Sequence, residues 1–167
     1  VILAFDHRDE SRFLDGPRDV ARSLDEVFKK NPDSSVHVKA EWVFLESATD
    51  QNPASILEVS ANLEHGLGGV VWFAGWNDAR RFKQNPEDQQ DDLGDHFWLS
   101  DSENPPNFDP EVMSDHYSPL YFDPQCVLPI AEIRKVVEEY CRIEGNRPTG
   151  IKWVPGTQGG SRYPAST

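Results

Sequence analysis

The side chains in this sequence that could do chemistry are five histidines (His7, His37, His65, His96 and His116), two cysteines (Cys126 and Cys141) and 29 aspartates and glutamates. The histidines stand singly, with no HxxxH or CxxC spacing to bring two ligands to one metal ion. Asp95-His96 and Asp115-His116 are adjacent pairs. Neighbouring residues of a strand project to opposite faces, so neither pair is a ready acid–base dyad. Cys126 follows His116 by ten residues, but a thiolate nucleophile needs a base in contact and a lowered pKa, which spacing does not supply. Gly66-Leu67-Gly68-Gly69 lacks the Lys-Ser/Thr ending of a phosphate loop and opens no helix, so it reads as a hairpin turn. No catalytic residue, metal ligand or cofactor is assigned from these patterns.

The acidic residues are more informative. Twelve of them fall between Gln84 and Ile133, a stretch without Lys or Arg, while the rest of the chain balances 17 acids with 16 bases. The formal charge of −13 is therefore a local property, and a field of one sign steers oppositely charged partners. Solubility alone also favours acidic loops. Aromatic residues lie among and beside these acids: Trp76, Phe97, Trp98, Phe108, Tyr117, Tyr121 and Phe122. Interfaces draw their energy from a few aromatic anchors and their encounter rate from charge. The pattern thus nominates Trp76, Glu87, Asp88, Asp91, Asp92, Asp95, Trp98, Asp101 and Glu103 as contacts for a basic protein. Phe97, Trp98 and Phe122 read equally well as core residues of short strands. Direct nucleic-acid binding is disfavoured, because phosphate contacts need clustered bases and the nearest approach is Arg80-Arg81-Phe82-Lys83. Two other readings stay open: an acidic nucleic-acid-mimicking inhibitor of a DNA- or RNA-binding protein, and a small enzyme using Cys126 or a histidine.

The elements that must hold these residues follow from periodicity. With 167 residues, 37% apolar and 11% aromatic, the chain can bury one substantial core. No apolar run nears the ~18 to 20 residues needed to span a bilayer, and Val1 to Phe5 is too short for a signal-peptide core. The first residue is not Met, which is compatible with a trimmed start. Two cysteines do not make a disulfide framework, so reduced thiols and a cytoplasmic location are expected. A strand is predicted over 1–5. A helix is predicted over 17–30, with Pro17 in its first turn and Val20, Leu24, Val27 and Phe28 on one stripe. Alternation over 36–44 predicts a strand, and 56–62 with 69–74 predicts a hairpin. From Asn77 to Asp123 the sequence reads as a long acidic, loop-rich excursion with short strands at 96–99 and 120–122. A second helix is predicted over 129–144, stopped by left-handed Gly145, followed by a strand over 150–154 and a flexible tail over 155–167. The expected fold is one α+β domain over 1–154, a mostly antiparallel sheet with two main helices packed on one face. Its core should include Leu24, Phe28, Val59, Val71, Ile133, Val137 and Trp153.

The C-terminal third carries a family likeness. Leu128-Pro-Ile-Ala-Glu-Ile-Arg-Lys-Val-Val-Glu-Glu-Tyr140, then Gly145-Asn-Arg-Pro-Thr-Gly-Ile-Lys-Trp153, resembles the ending of the first immunity-protein family of bacterial polymorphic toxin systems: a Pro-led amphipathic helix, a Gly, an Arg-Pro and a near-terminal Trp. Leu57 to Asn62 and Gly69 to Phe73 are similar to its paired strands. The specific likeness covers about 25 residues and a looser one about 100. It implies an α+β protein made alongside a secreted toxin, usually of the deaminase fold, which it binds and silences without chemistry of its own. Arg147, Pro148 and Trp153 would then be fold-defining positions. The zinc of a deaminase would belong to the toxin. The excursion from Asn77 to Asp123 departs from the shorter family pattern.

Overall fold

A computed structural model describes residues 1–6, 10–75, 78, 82, 93–94 and 96–164. Among them the chain forms β1 (Ile2–Phe5), β2 (Ser11–Leu14), α1 (Pro17–Val27), β3 (His37–Phe44), β4 (Ser55–Asn62), β5 (Leu67–Phe73) and β6 (Phe97–Asp101). These are followed by β7 (Met113–Asp115), β8 (Leu120–Tyr121), a 3-10 turn (Pro124–Cys126), β9 (Val127–Pro129), α2 (Ile130–Arg142) and β10 (Lys152–Gly156). The main sheet runs β10-β6-β5-β4-β3-β1-β2, with β9 joined to β5, and β7 pairs with β8 apart from it. Every pairing is antiparallel, so the α+β expectation is met. The expected strands at 1–5, 36–44, 56–62, 69–74, 96–99, 120–122 and 150–154 all appear, within a few residues at their ends. The first helix ends at Val27, ahead of the expected residue 30.

Both helices pack on one face of the sheet. Val20, Leu24 and Val27 of α1 and Ile133, Val136, Val137 and Tyr140 of α2 bury against Trp42, Leu57, Val59, Val70 and Trp72. Phe28 and Trp153 are only partly buried, packed at the border of this core. Val71 belongs elsewhere: strand alternation sends it to the opposite face, into a second core with Leu99, Val112, Phe122, Cys126 and Val127. The expectation of a single core is thus corrected, because residues 112–127 cover the back of the sheet.

The helix ends follow local chemistry. Pro129 closes β9 opposite Leu67 and is the N-cap of α2, so the helix begins at Ile130, one residue later than expected. At the other end Glu144 takes the first left-handed position (φ 54°) and Gly145 the second (φ 79°). The Gly145 N–H returns to the Tyr140 carbonyl at 3.0 Å, the six-to-one bond of a Schellman stop. The Gly145 carbonyl then accepts from the Trp72 indole (3.1 Å) and the Ser55 hydroxyl (2.6 Å). This ties the helix end to the sheet.

Gly68 and Gly69 serve packing, not anion binding. A Cβ on Gly68 would lie 2.5 Å from the Ser60 carbonyl oxygen and 2.7 Å from Ile133 Cδ1; one on Gly69 would lie 2.4 Å from the Phe122 ring. One glycine admits α2 on the front of the sheet, and the next admits Phe122 on its back. Here β5 also changes partners: Val71–Phe73 pair with β6, whereas Leu67–Gly69 pair with β9. Val70, at the handover, donates its N–H to Ser100 Oγ (3.1 Å), and that hydroxyl donates to the Cys126 carbonyl (2.6 Å). Ser100→Ala should therefore lower stability by about 1–3 kcal/mol, since it strands a buried donor and a buried acceptor. Denaturant titration would read the loss, and an unchanged midpoint would show that the fork relaxes freely.

The segment expected as a flexible tail is tied to the body through residue 162. Asp123 N–H reaches the Gly160 carbonyl (2.9 Å), Ser114 Oγ the Gly159 carbonyl (2.7 Å) and Gln158 Nε2 the Glu58 carboxylate (2.7 Å). Gly160 (φ 90°) sits where a Cβ would meet Phe122. Gly156 and Gly160 thus serve close packing.

Candidate functional site

Of the nominated contacts, Trp76, Glu87, Asp88, Asp91, Asp92 and Asp95 lie outside the described residues. The other three are engaged within the chain. Trp98 is 6% exposed and belongs to the front core. Its indole N–H donates to the Leu93 carbonyl at 3.4 Å, and the Arg147 guanidinium lies 4.4 Å from its ring centroid, a cation–π geometry. Of the two readings of Trp98, the structure bears out the core residue of a short strand and leaves the nominated toxin contact with almost no exposed ring. Asp101 pairs with Arg162 at 2.7 Å, and Glu103 pairs with Lys152 at 2.7 Å. The Lys152 ammonium holds the Glu103 carboxyl below its ordinary pKa. Such surface pairs add little stability, yet they cancel part of the acidic field with bases supplied by the C-terminal strand and turn.

The remaining described part of the acidic window builds a different surface. The chain crosses the back of the sheet from Pro110, whose carbonyl accepts from Asn62 Nδ2 (3.2 Å), through β7 and β8 to buried Phe122. The β7–β8 turn is set by Asp115, whose Oδ1 accepts the N–H of Tyr117 (2.9 Å) and of Ser118 (3.2 Å). Those two bonds hold the Asp115 carboxyl below its ordinary pKa. Ser114 Oγ, beneath the hairpin, lies within bonding distance of the Leu120 carbonyl (3.1 Å) as well as of Gly159. At the tip Tyr117 is 102% exposed, and Leu120 and Tyr121 are 50% and 45% exposed. Asp109, Glu111, Asp115 and Asp123 accompany them, and none has a Lys or Arg within ion-pair distance among the described residues. These aromatics were visible in the sequence as members of the acidic window. Their exposure was not, because it depends on which of them the back of the sheet takes up.

The groups that might react are poorly placed for it. Cys126 is fully buried and its thiol is pushed up to about 12, chiefly by burial and then by the Asp123 charge. Burial likewise pushes the Cys141 thiol up to about 12. Neither suits a nucleophile, which needs a lowered pKa. His116 approaches His37 edge-on, with ring centroids 6.5 Å apart. Burial, then the charges of His37 and Lys39, push the His116 pKa down. Among the described residues no group of His, Cys, Asp and Glu is arranged to hold a metal ion, and no helix is long and apolar enough to cross a membrane.

The profile of the family Immunity protein Imm1 matches residues 8–155. The chain belongs to the Imm1 family. No curated protein and no solved structure matches it. Membership makes it an immunity protein with a toxin as partner and points to a non-enzymatic role. It also covers the Arg-Pro and Trp positions of the sequence likeness, and the structure gives each a packing task. Arg147 lies over Trp98, and the Pro148 carbonyl accepts the Trp153 indole N–H at 2.7 Å. These Imm1 residues knit the loop after α2 to β6 and β10.

Proposed function

We propose that this Imm1 protein acts in the cytoplasm by binding a cognate toxin of the deaminase fold and covering its cationic active-site cleft. The family match over residues 8–155 carries the immunity part of this reading. The twelve acids without a base between Gln84 and Ile133 support the cleft, since a toxin acting on DNA, RNA or nucleotides needs positive charge to hold phosphates. The inhibitor needs no cofactor or metal of its own. It excludes substrate by occupying the cleft, and its long-range charge accelerates the encounter.

Reversing Glu87, Asp88, Asp91 and Asp92 together to Lys should slow association with the toxin by about tenfold at low salt and flatten its ionic-strength dependence. The melting temperature should change little. Stopped-flow association at several salt concentrations measures this. Association that is equally fast at every ionic strength, with cells still protected by the reversed variant, would remove the charge-steering element. A nucleic-acid mimic would instead bind unrelated basic proteins with comparable affinity, whereas an immunity protein selects one.

A further inference from the structure

We propose that the β7–β8 hairpin is the element the toxin closes over, with Tyr117 as central anchor, Leu120 and Tyr121 beside it, and a basic toxin face opposite. This deepens the immunity reading and rests on it. Three large side chains, Tyr117, Leu120 and Tyr121, stand half to fully exposed within five residues. Of the other aromatic residues described in the acidic window, Trp98 goes into the front core and Phe122 into the back, while Phe108 is half exposed but stands alone on its loop. Tyr117 has no such task. Tyrosine is among the residues that dominate interface energies, because it buries a large apolar ring and retains a polar tip.

The hairpin is also held in place before any partner arrives. Ser114 ties it to the Gly159 carbonyl, Asp115 fixes the turn, and Asp123 N–H bonds Gly160 just beyond buried Phe122. A fixed platform loses little conformational entropy on binding. Charge decides what it would bind. No Lys or Arg occurs between Gln84 and Ile133, and the nearest base from the sheet, Lys39, is turned to Glu58 at 3.4 Å. Alongside Tyr117 a groove of about 360 Å³ runs between the hairpin and strands β1 and β3, bordered by Phe5, Asp6, Lys39, Glu41, Asp115 and His116. At its rim the Asp115 carboxylate and the exposed Tyr117 ring suit an arginine or lysine side chain of the toxin. The apolar groove on the helix side, about 640 Å³ beside Ile2, Leu14, Val20 and Cys141, carries Glu138 and Arg142 together and so expresses no preference of charge.

The test measures binding kinetics with the inactivated toxin domain encoded beside this chain's gene. Tyr117→Ala combined with Tyr121→Ala should speed dissociation by about tenfold or more while leaving association within about twofold. Phe13→Ala, on the edge strand β2 where Phe13 is also exposed, should bind as the unmodified chain does. If the double variant melts early, Tyr117→Ala alone decides, because that side chain packs against nothing. Unchanged dissociation in that single variant would then overturn the hairpin as anchor, as would unchanged dissociation in a normally melting double variant. Either result leaves the immunity reading intact, provided the unmodified chain binds. Failure of the unmodified chain to bind the toxin would overturn the immunity reading and the hairpin proposal together.

Discussion

Trp72→Ala should destabilise the fold by about 3–5 kcal/mol, the range for removing a buried tryptophan. Trp72 is fully buried between Leu57 of β4 and Trp98 of β6, and it meets the Phe82 ring edge-on at 5.7 Å between centroids. Truncation opens a cavity among rigid strand neighbours, which cannot collapse without breaking ladder bonds. It also removes the indole donor from the Gly145 carbonyl, but that oxygen keeps the Ser55 hydroxyl at 2.6 Å, so the hydrogen-bond component should be small. Since a domain of this size is stable by only about 5–15 kcal/mol, the variant should lie near the edge of folding. Urea titration separates the two components: Trp72→Phe, which retains most of the apolar fill, should lose clearly less than Trp72→Ala. Equal losses would show that the indole N–H, and not the ring volume, ties α2 to the sheet.

Ile133→Ala should lower stability by about 2–5 kcal/mol. Ile133 is fully buried in α2, and its Cδ1 occupies the space that a side chain at position 68 would need. The helix can approach β5 this closely only because Gly68 has no Cβ. Gly68→Ala should therefore destabilise as well, and Ile133→Ala should rescue it incompletely, since the Ser60 carbonyl oxygen 2.5 Å from the added carbon is backbone and cannot swing away. Full rescue in a double-mutant cycle would locate the whole clash at Ile133. A neutral Ile133→Ala would mean that a different face of α2 meets the sheet.

The sequence alone determined the elements whose signal is local. The stripes of α1 and α2, the alternation of β3 and the hairpin of β4 and β5 are patterns of period and punctuation, and they require no knowledge of distant residues. Membership in the immunity family was legible for a similar reason, because the helix, the Arg-Pro and Trp153 occur within one short stretch. β2, β7 and β9 escaped. They are four, three and three residues long, too short for alternation to stand out, and their pairing partners decide that they exist.

Tertiary structure decided the fate of the acidic window. The identity of Trp98 is compatible with an anchor or a core residue, and Arg147, Leu93 and the front core made it the latter. Asp101 and Glu103 read as uncompensated charges until Arg162 and Lys152, 61 and 49 positions away, come beside them through the pairing of β6 with β10. Phe122 and Tyr117 are both aromatic residues amid acids, yet Gly69 opens a slot for one while the Asp115 turn lifts the other into solvent. Composition fixes how much charge and aromatic surface a segment carries. Which part remains exposed depends on contacts distant in sequence, and those form only when the sheet and its back cover assemble.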